Sequence, residues 1–256
     1  MKEINEILRG FQPISLEEMD GVRLMNRTDT KFLFSRDRFP EILKSLSDDY
    51  RVVSINDVRA SRYESLYFDT SDFLFFQQHQ RGELSRHKVR TRRYVDSDLL
   101  FFEIKKKNNK KRTIKRRRKE QAEEQILQQE AVQSFLLEHE LDFHERLEPK
   151  MWVNYTRITL VNNTKPERVT LDVNLEFVSD TIKRDVPNLV IAEVKQDRRV
   201  RSFFMHKMRQ EKIREGSLSK YCLGVISLFE NIKYNNFKPK LLSLNKIAHV
   251  STPTSV

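Results

Sequence analysis

An α+β fold is what this 256-residue sequence predicts: antiparallel strands curled into a β-barrel that forms a charged tunnel, with helices packed outside. Three observations predict it. Strand-length stretches recur with period-two alternation, the spacing that sends successive side chains to opposite faces of a sheet. In most of them one face is apolar and the other carries charges at two-residue spacing. Between and after them lie stretches with helical spacing, available to cover the apolar side. Charged faces turned inward would then enclose a polar interior.

The first twenty residues read as short helices, with an S-x-x-E capping box from Ser15 to Glu18. "RTDTKFLF" (27–34) is a strand. "SRDRFPEILKSLSDDY" (35–50) places Phe39, Ile42, Leu43 and Leu46 at helical spacing behind an N-cap at Ser35. "RVVSI" (51–55) and "SRYESLYFDT" (61–70) are strands, and "SDFLFFQQHQRG" (71–82) is a short helix ended by Gly82. "LSRHKVRTRRYV" (84–95), "LLFFEIKKK" (99–107) and "RTIKRRRK" (112–119) follow as strands joined by turns. "EQAEEQILQQEAVQSFLLEHELDF" (120–143) is helical in composition, with a polar first part that suits a lid or a linker. Strands resume at "PKMWVNYTRITLV" (149–161), "ERVTLDVNLEFV" (167–178) and "NLVIAEVKQ" (188–196). Helices at 201–210 and 217–232 close a single domain spanning 1–238, and the tail 239–256 is expected to be flexible.

Composition bounds the function. Seventeen Phe and 10% aromatic content exclude a disordered chain, and 33% charged residues with a pI near 9.7 point to an anionic partner. The single Cys222 excludes an intrachain disulfide. With no signal-like start and no apolar run long enough to span a membrane, a soluble cytoplasmic protein is expected. The segment 101–119 holds eleven Lys or Arg against one Glu, a net of +10 in a chain whose total is +11.

The charges fall on particular faces. Arg27, Asp29 and Lys31 share one; Lys88, Arg90 and Arg92 the next; Glu103, Lys105 and Lys107 another; Lys115, Arg117 and Lys119 the one after. Tyr155 lines up with Arg157, Glu193 with Lys195, and Arg168, Thr170, Asp172 and Asn174 alternate with Val169, Leu171, Val173 and Leu175. Taken singly, each could be a solvated sheet face. Together, turned inward, they would repel one another until a polyanion relieved the repulsion. The carboxylates among them, Asp29, Glu103, Asp172 and Glu193, suit pairing with Lys and Arg or a hard cation such as Mg²⁺ or Mn²⁺. Many cations plus a carboxylate-held metal is the equipment phosphoryl transfer uses.

The ordered set "RTDTK", "YFDT", "KVRTRRY", "FFEIKKK", "YTRI", "RVTLDVNL", "AEVK" and "SKYCLG" resembles a VTC domain, the polyphosphate polymerase domain of the triphosphate tunnel metalloenzyme superfamily. The resemblance covers roughly residues 20–230. It implies a tunnel-forming β-barrel that takes the γ-phosphate of ATP and adds it to a polyphosphate chain. By position it assigns phosphate or nucleotide contacts to Lys31, Arg90, Arg92, Lys105, Lys115, Arg157, Arg168 and Lys220, with Lys88 and Lys195 on the same faces. Lys31, Arg90, Arg92 and Glu193 would act in catalysis. Glu193 would be the principal ligand of Mn²⁺ or Mg²⁺, with Glu103 and Asp29 as further candidates. The wider superfamily opens with E-x-E-x-K; here Arg27 replaces the first Glu, which favours the VTC branch over a two-metal triphosphatase. The partners implied are ATP or another triphosphate and polyphosphate. Eukaryotic relatives carry membrane spans; here a membrane-protein partner would be a separate chain, not visible in this sequence.

Other readings stand beside it: a triphosphate hydrolase on the same fold, a polyphosphate binder without turnover, or a nucleic-acid binder using 101–119. In the last, Lys106, Arg116 and Arg118 would face outward. Charges elsewhere alternate with acids, which a backbone binder would avoid, so no obligate nucleic acid is expected. The surplus cations Lys106, Lys110, Lys111, Arg116 and Arg118 would sit at the tunnel mouth. Cys222, in an apolar helix, reads as core.

Overall fold

In the computed structural model, residues 1–20, 28–110, 113–141, 144–197 and 202–248 are described. Arg27, Lys111 and the end of the chain from 249 lie outside them. The chain opens with α1 (Lys2–Arg9), β1 (Pro13–Ile14), α2 (Leu16–Asp20), β2 (Thr28–Ser35), α3 (Phe39–Lys44) and β3 (Tyr50–Val53). Next come β4 (Ser61–Thr70), α4 (Leu74–Arg81), β5 (Arg86–Tyr94), β6 (Leu99–Lys107), β7 (Thr113–Glu120) and α5 (Glu130–Leu137). The second half holds β8 (Leu147–Asn162), β9 (Glu167–Val178), β10 (Lys183–Val186) and β11 (Leu189–Gln196), then α6 (Phe203–Gln210), β12 (Glu215–Gly216), α7 (Lys220–Leu228) and α8 (Lys238–Ala248).

The strands form one twelve-stranded sheet in the order β12-β2-β11-β9-β8-β4-β5-β6-β7, with β10 on β9 and β3 on β8. Every pair is antiparallel except β1 with β3. Among the described residues the pairing path stays open between β7 and β12 rather than closing into a ring. It is curvature that encloses the charged face: Lys31 on β2 lines the same cavity as Lys88 on β5 and Lys105 on β6, far along the pairing path. One end of the path is β7, where Lys and Arg side chains discourage further strand addition.

Alternation does the sorting. On β2, β9 and β11, Phe32, Phe34, Val169, Leu171, Val190, Ala192 and Val194 point to the convex side, where α1, α3 and α6 cover them with Ile4, Leu8, Phe39, Leu43, Phe204 and Met208. On β5 and β6, Val89, Phe102 and Ile104 do the same beneath α5, which contributes Val132 and Leu136. Ser202 caps α6 by accepting from the Met205 N–H at 3.2 Å, and Gly82 ends α4 in a left-handed conformation at φ 72°. The expected capping box forms: the Ser15 N–H donates to Glu18 Oε2 at 2.9 Å and the Glu18 N–H to Ser15 Oγ at 3.1 Å. Ser35 does not cap α3; it precedes a 3₁₀ turn at 36–38, and its hydroxyl donates to Asp37.

Four expectations are corrected. The 120–143 segment is not one helix: β7 runs to Glu120 and only Glu130–Leu137 is α-helical, because the Glu/Gln-rich start has no apolar stripe to bury. Asn174 adopts φ 52° within a bulge opposite Tyr155, so the alternation on β9 flips there. Leu175 and Phe177 therefore turn to the concave side and pack with Met151, Val153 and Tyr155 under α7. Lys106 and Arg118 are not free at a mouth; they pair with Glu140 and with Glu120, and Arg118 also donates to the Ala131 carbonyl at 3.2 Å. The stretch beyond 238 is not a flexible tail as far as Ala248: α8 buries Leu241 and Leu244 in the concave-side core with α7 and Phe237.

The docking of α8 has a direct test. Leu244 is 2% exposed and Leu242 62%. Leu244→Ala should cost about 2–5 kcal/mol in urea unfolding while Leu242→Ala stays near neutral. Equal, small effects at both positions would mean that the helix does not pack on the domain.

Candidate functional site

The concave face is built from β2, β11, β9, β8, β4, β5, β6 and the inner side of β7. Register brings the sequence-predicted residues together. Glu193 faces Lys31 across β11–β2, Lys195 faces Asp29 on one side and Arg168 on the other, and Asp172 faces Arg157. On the other wall Arg90 faces Glu103, and Lys105 stands between Lys88 and Lys115. Lys220 arrives from the first turn of α7, whose N-cap Ser219 also accepts from Lys88 Nζ at 2.9 Å.

Three carboxylates organise these cations, and each is shared by two. Glu103, 1% exposed, takes Arg90 through Nη2 at 2.6 Å and Nε at 2.8 Å, and also pairs with Lys115. Asp172, 3% exposed, takes Arg157 bidentately at 2.6 and 2.7 Å, and also pairs with Lys220. Glu193 takes Lys31 at 2.8 Å and Lys195 at 3.2 Å. Burial alone would raise all three acids. Arg90, Arg92 and Lys115 outweigh it at Glu103, Arg157 and Lys220 at Asp172, and Lys195 and Lys31 at Glu193, so each is held well below the usual carboxylate range.

The cations are shifted as well. Desolvation, with Lys88 opposite, pushes Lys105 down to about 8. Desolvation also outweighs Glu103 at Lys115 and Glu193 at Lys195, bringing each to about 8. Lys88 is lowered by burial too.

Sequence reasoning missed an aromatic layer beneath the cations. Tyr63 stacks on Tyr155 with ring centroids 5.3 Å apart, and Arg157 lies over both rings at 5.1 and 5.2 Å. Lys220 sits 4.5 Å over Tyr155, and Arg92 rests 5.6 Å from Tyr63 while its Nε donates to Ser65 Oγ at 3.1 Å. Tyr67 accepts from Arg90 Nη1 at 2.8 Å; burial opposes its ionisation, but Arg90, Arg92 and Lys88 bring it down to about 8. The signal was present: Tyr63, Ser65 and Tyr67 alternate in "SRYESLY" on the face that pairs with Arg90. Asp69 of "YFDT" is not a site residue. It is fully buried, accepts backbone N–H groups of Thr70, Phe75 and Phe76 at 2.8–3.1 Å, and binds the Tyr221 hydroxyl, fastening α4 and α7 to β4.

The three metal candidates are not gathered. Glu103 on β6 is separated from Glu193 on β11 by β9, β8, β4 and β5 in pairing order, and its oxygens are engaged by Arg90 and Lys115. Asp29 and Glu193 lie on adjacent strands. Among the described residues no cluster of three His, Cys, Asp or Glu side chains forms a ready metal site. Cys222 is 1% exposed and its thiol is pushed up by burial, as expected of a core residue.

A curled antiparallel sheet, helices on its convex side and ten Lys or Arg against four carboxylates on the concave side define an α+β protein with a cationic cradle. More particularly, the chain belongs to the VTC domain family, whose model matches residues 26–229. Among solved structures it is similar to a putative adenylate cyclase from Bacillus halodurans, at 13% identity over 91% of this chain and 96% of that one, with a TM-score of 0.43. It is similar also to HpAC1 from Hippeastrum, described as a putative adenylyl cyclase with a dominant triphosphatase activity, at 11% identity over 81% and 100%, TM-score 0.49. PH1819 from Pyrococcus horikoshii OT3 aligns at 14% identity over 73% and 86%, TM-score 0.39. No curated protein sequence matches the chain. No helix among the described residues is long and apolar enough to cross a membrane.

The lowered lysines set a pH dependence. A Lys near 8 in the fold and near 10.4 unfolded costs stability, in full below about 8, and that cost is relieved progressively as pH rises from about 8 to about 10.4. The same deprotonation removes anion-binding charge. Inorganic tripolyphosphate should therefore raise the melting temperature clearly at pH 7 and progressively less toward pH 9.5. A stabilisation that stayed constant over this range would show that Lys105, Lys115 and Lys195 do not hold the anion.

Proposed function

We propose that the chain is a metal-dependent polyphosphate polymerase, transferring the γ-phosphate of ATP to a polyphosphate chain held in the cationic cradle. One observation carries the reading. Each of three carboxylates on one concave face is shared by two cations, and Lys88, Arg92, Lys105 and Arg168 add further charge. Such a face is compensated enough to fold and cationic enough to seat a chain of phosphates. Membership of the VTC domain family supports the same reading.

In the reaction a terminal phosphate oxygen of the chain attacks the γ-phosphorus in line. The bond from that phosphorus to the bridging oxygen breaks, and ADP leaves with the electron pair. No protein nucleophile is required; transfer rests on positioning and on fixed charge around the transferring group. Lys31, Arg90 and Arg92 are assigned to the γ-phosphate, and Lys88, Lys105, Lys115, Arg157, Arg168, Lys195 and Lys220 to the remaining phosphates of the two anions.

Glu193, with Asp29 on the adjacent strand, would hold Mn²⁺ or Mg²⁺, hard cations that bind through one or two carboxylates together with substrate phosphates. The donor set fits. Thr170 lies opposite Glu193, is 4% exposed, and its hydroxyl has no partner among the described residues, leaving one more oxygen for an ion or its waters. Bound there, the ion would neutralise charge on the β- and γ-phosphate oxygens.

Chain-length analysis of the products made from ATP and Mn²⁺ decides the matter. Long-chain polyphosphate is expected; ADP and free phosphate alone would replace the polymerase with a triphosphate hydrolase. Glu193→Gln should lower metal-dependent turnover by about 10²-fold or more with the fold retained by circular dichroism. Unchanged turnover would sink the metal assignment. Arg90→Ala or Arg168→Ala should weaken triphosphate binding by about 10- to 100-fold, the value of one charge-assisted contact.

A further inference from the structure

One cavity, of about 360 Å³, opens off the cradle where β2, β5 and β6 meet α4, α7 and α8. Its walls differ in kind. Lys31, Lys88, Lys105 and Arg86 form one, with Asp29 among them; Leu218, Ile226, Phe237, Leu241 and Leu244 form the other, joined by His79 and edged by Lys240, whose Nζ lies 5.8 Å from the Phe237 ring. Phosphate alone gives no reason for the second wall. The His79 ring lies nearly parallel to Phe237, 17° between planes and 5.9 Å between centroids. Its Nδ1 is buried without a partner. Burial, reinforced by Lys88 and Arg86, brings the imidazole to about 3, so it is neutral at physiological pH and joins the apolar wall. The volume suits a small organic group.

We infer that this cavity is a nucleoside subsite: the base lies against His79, Phe237 and the leucines of α8, while the attached triphosphate runs onto Lys31, Lys88 and Lys105. The inference rests on the triphosphate reading above and adds that the organic end of the substrate is recognised. It also gives α8 a task, since Leu241 and Leu244 complete the apolar wall.

The test compares ATP with methyl triphosphate, an ester with a like charge and no base, by calorimetry on the full chain in EDTA to prevent turnover. The wild type should bind ATP at least about tenfold more tightly, the scale of one base stacked on an aromatic surface. His79→Ala and Leu218→Ser should each bring that ratio toward one while methyl triphosphate affinity stays within about twofold. Leu218 lies half-buried in the loop before α7, so this variant keeps the test intact if His79→Ala fails to fold. Equal binding of the two ligands by the wild type, or an unchanged ratio in Leu218→Ser, overturns the subsite and leaves the cradle standing. Failure of the wild type to bind either ligand, both in EDTA and with Mg²⁺ added, overturns the triphosphate reading and the subsite together.

Discussion

Two cations to one carboxylate is the arrangement on which the rest of the concave face depends. At an effective dielectric of about 20, two like charges 4 Å apart repel by about 4 kcal/mol, so an inner wall of bare Lys and Arg would oppose its own folding. One acid for every cation would remove that cost and the field with it. Glu103, Asp172 and Glu193 each hold a pair of cations, so part of the charge is cancelled and part remains directed at the groove. The aromatic layer serves the same balance. Tyr63, Tyr67 and Tyr155 give the guanidinium groups flat surfaces, and the Tyr67 hydroxyl accepts from Arg90, without a further carboxylate on the face.

The sheet makes this arrangement cheap to build. Each partnership follows from register: Lys31 with Glu193, Arg157 with Asp172, Arg90 with Glu103 are direct cross-strand neighbours, so no long side chain has to search for its partner. The convex helices keep the register from slipping, because a shift of one residue would expose Val169, Leu171 and Val173 and bury lysines against α1 and α6. Asp69 extends the control to α7. By gripping Tyr221 it holds the helix start that carries Ser219 and Lys220 over Asp172.

Much of this was legible in the sequence. Period-two charge placed Lys31, Arg90, Arg92, Lys105, Arg157 and Glu193 on one surface, since alternation is a local property that tertiary context seldom overrides. The unread parts depend on distant contacts. Helix α8 has its leucines among Lys, Pro and Ser, and its apolar side is defined only by α7 and Phe237. The short strands β1, β10 and β12 exist because a neighbour offers an edge, not because two to four residues carry a pattern. The pairing of each carboxylate with two cations, and the separation of Glu103 from Glu193, depend on curvature that no single strand records.

The left-handed residue at Asn174 has a wider meaning for the groove. Before it, the inward positions of β9 are Arg168, Thr170 and Asp172; after it they are Leu175 and Phe177. One extra residue thus inverts the odd–even parity of the strand and converts a wet lining into a dry one within a single step. The length of the ionic lining is therefore set by where that parity changes, and not by how many charged residues the strand contains. Moving the bulge along β9 would lengthen or shorten the ionic lining with the composition untouched, making one backbone dihedral a gauge of how far the charged surface extends along the groove.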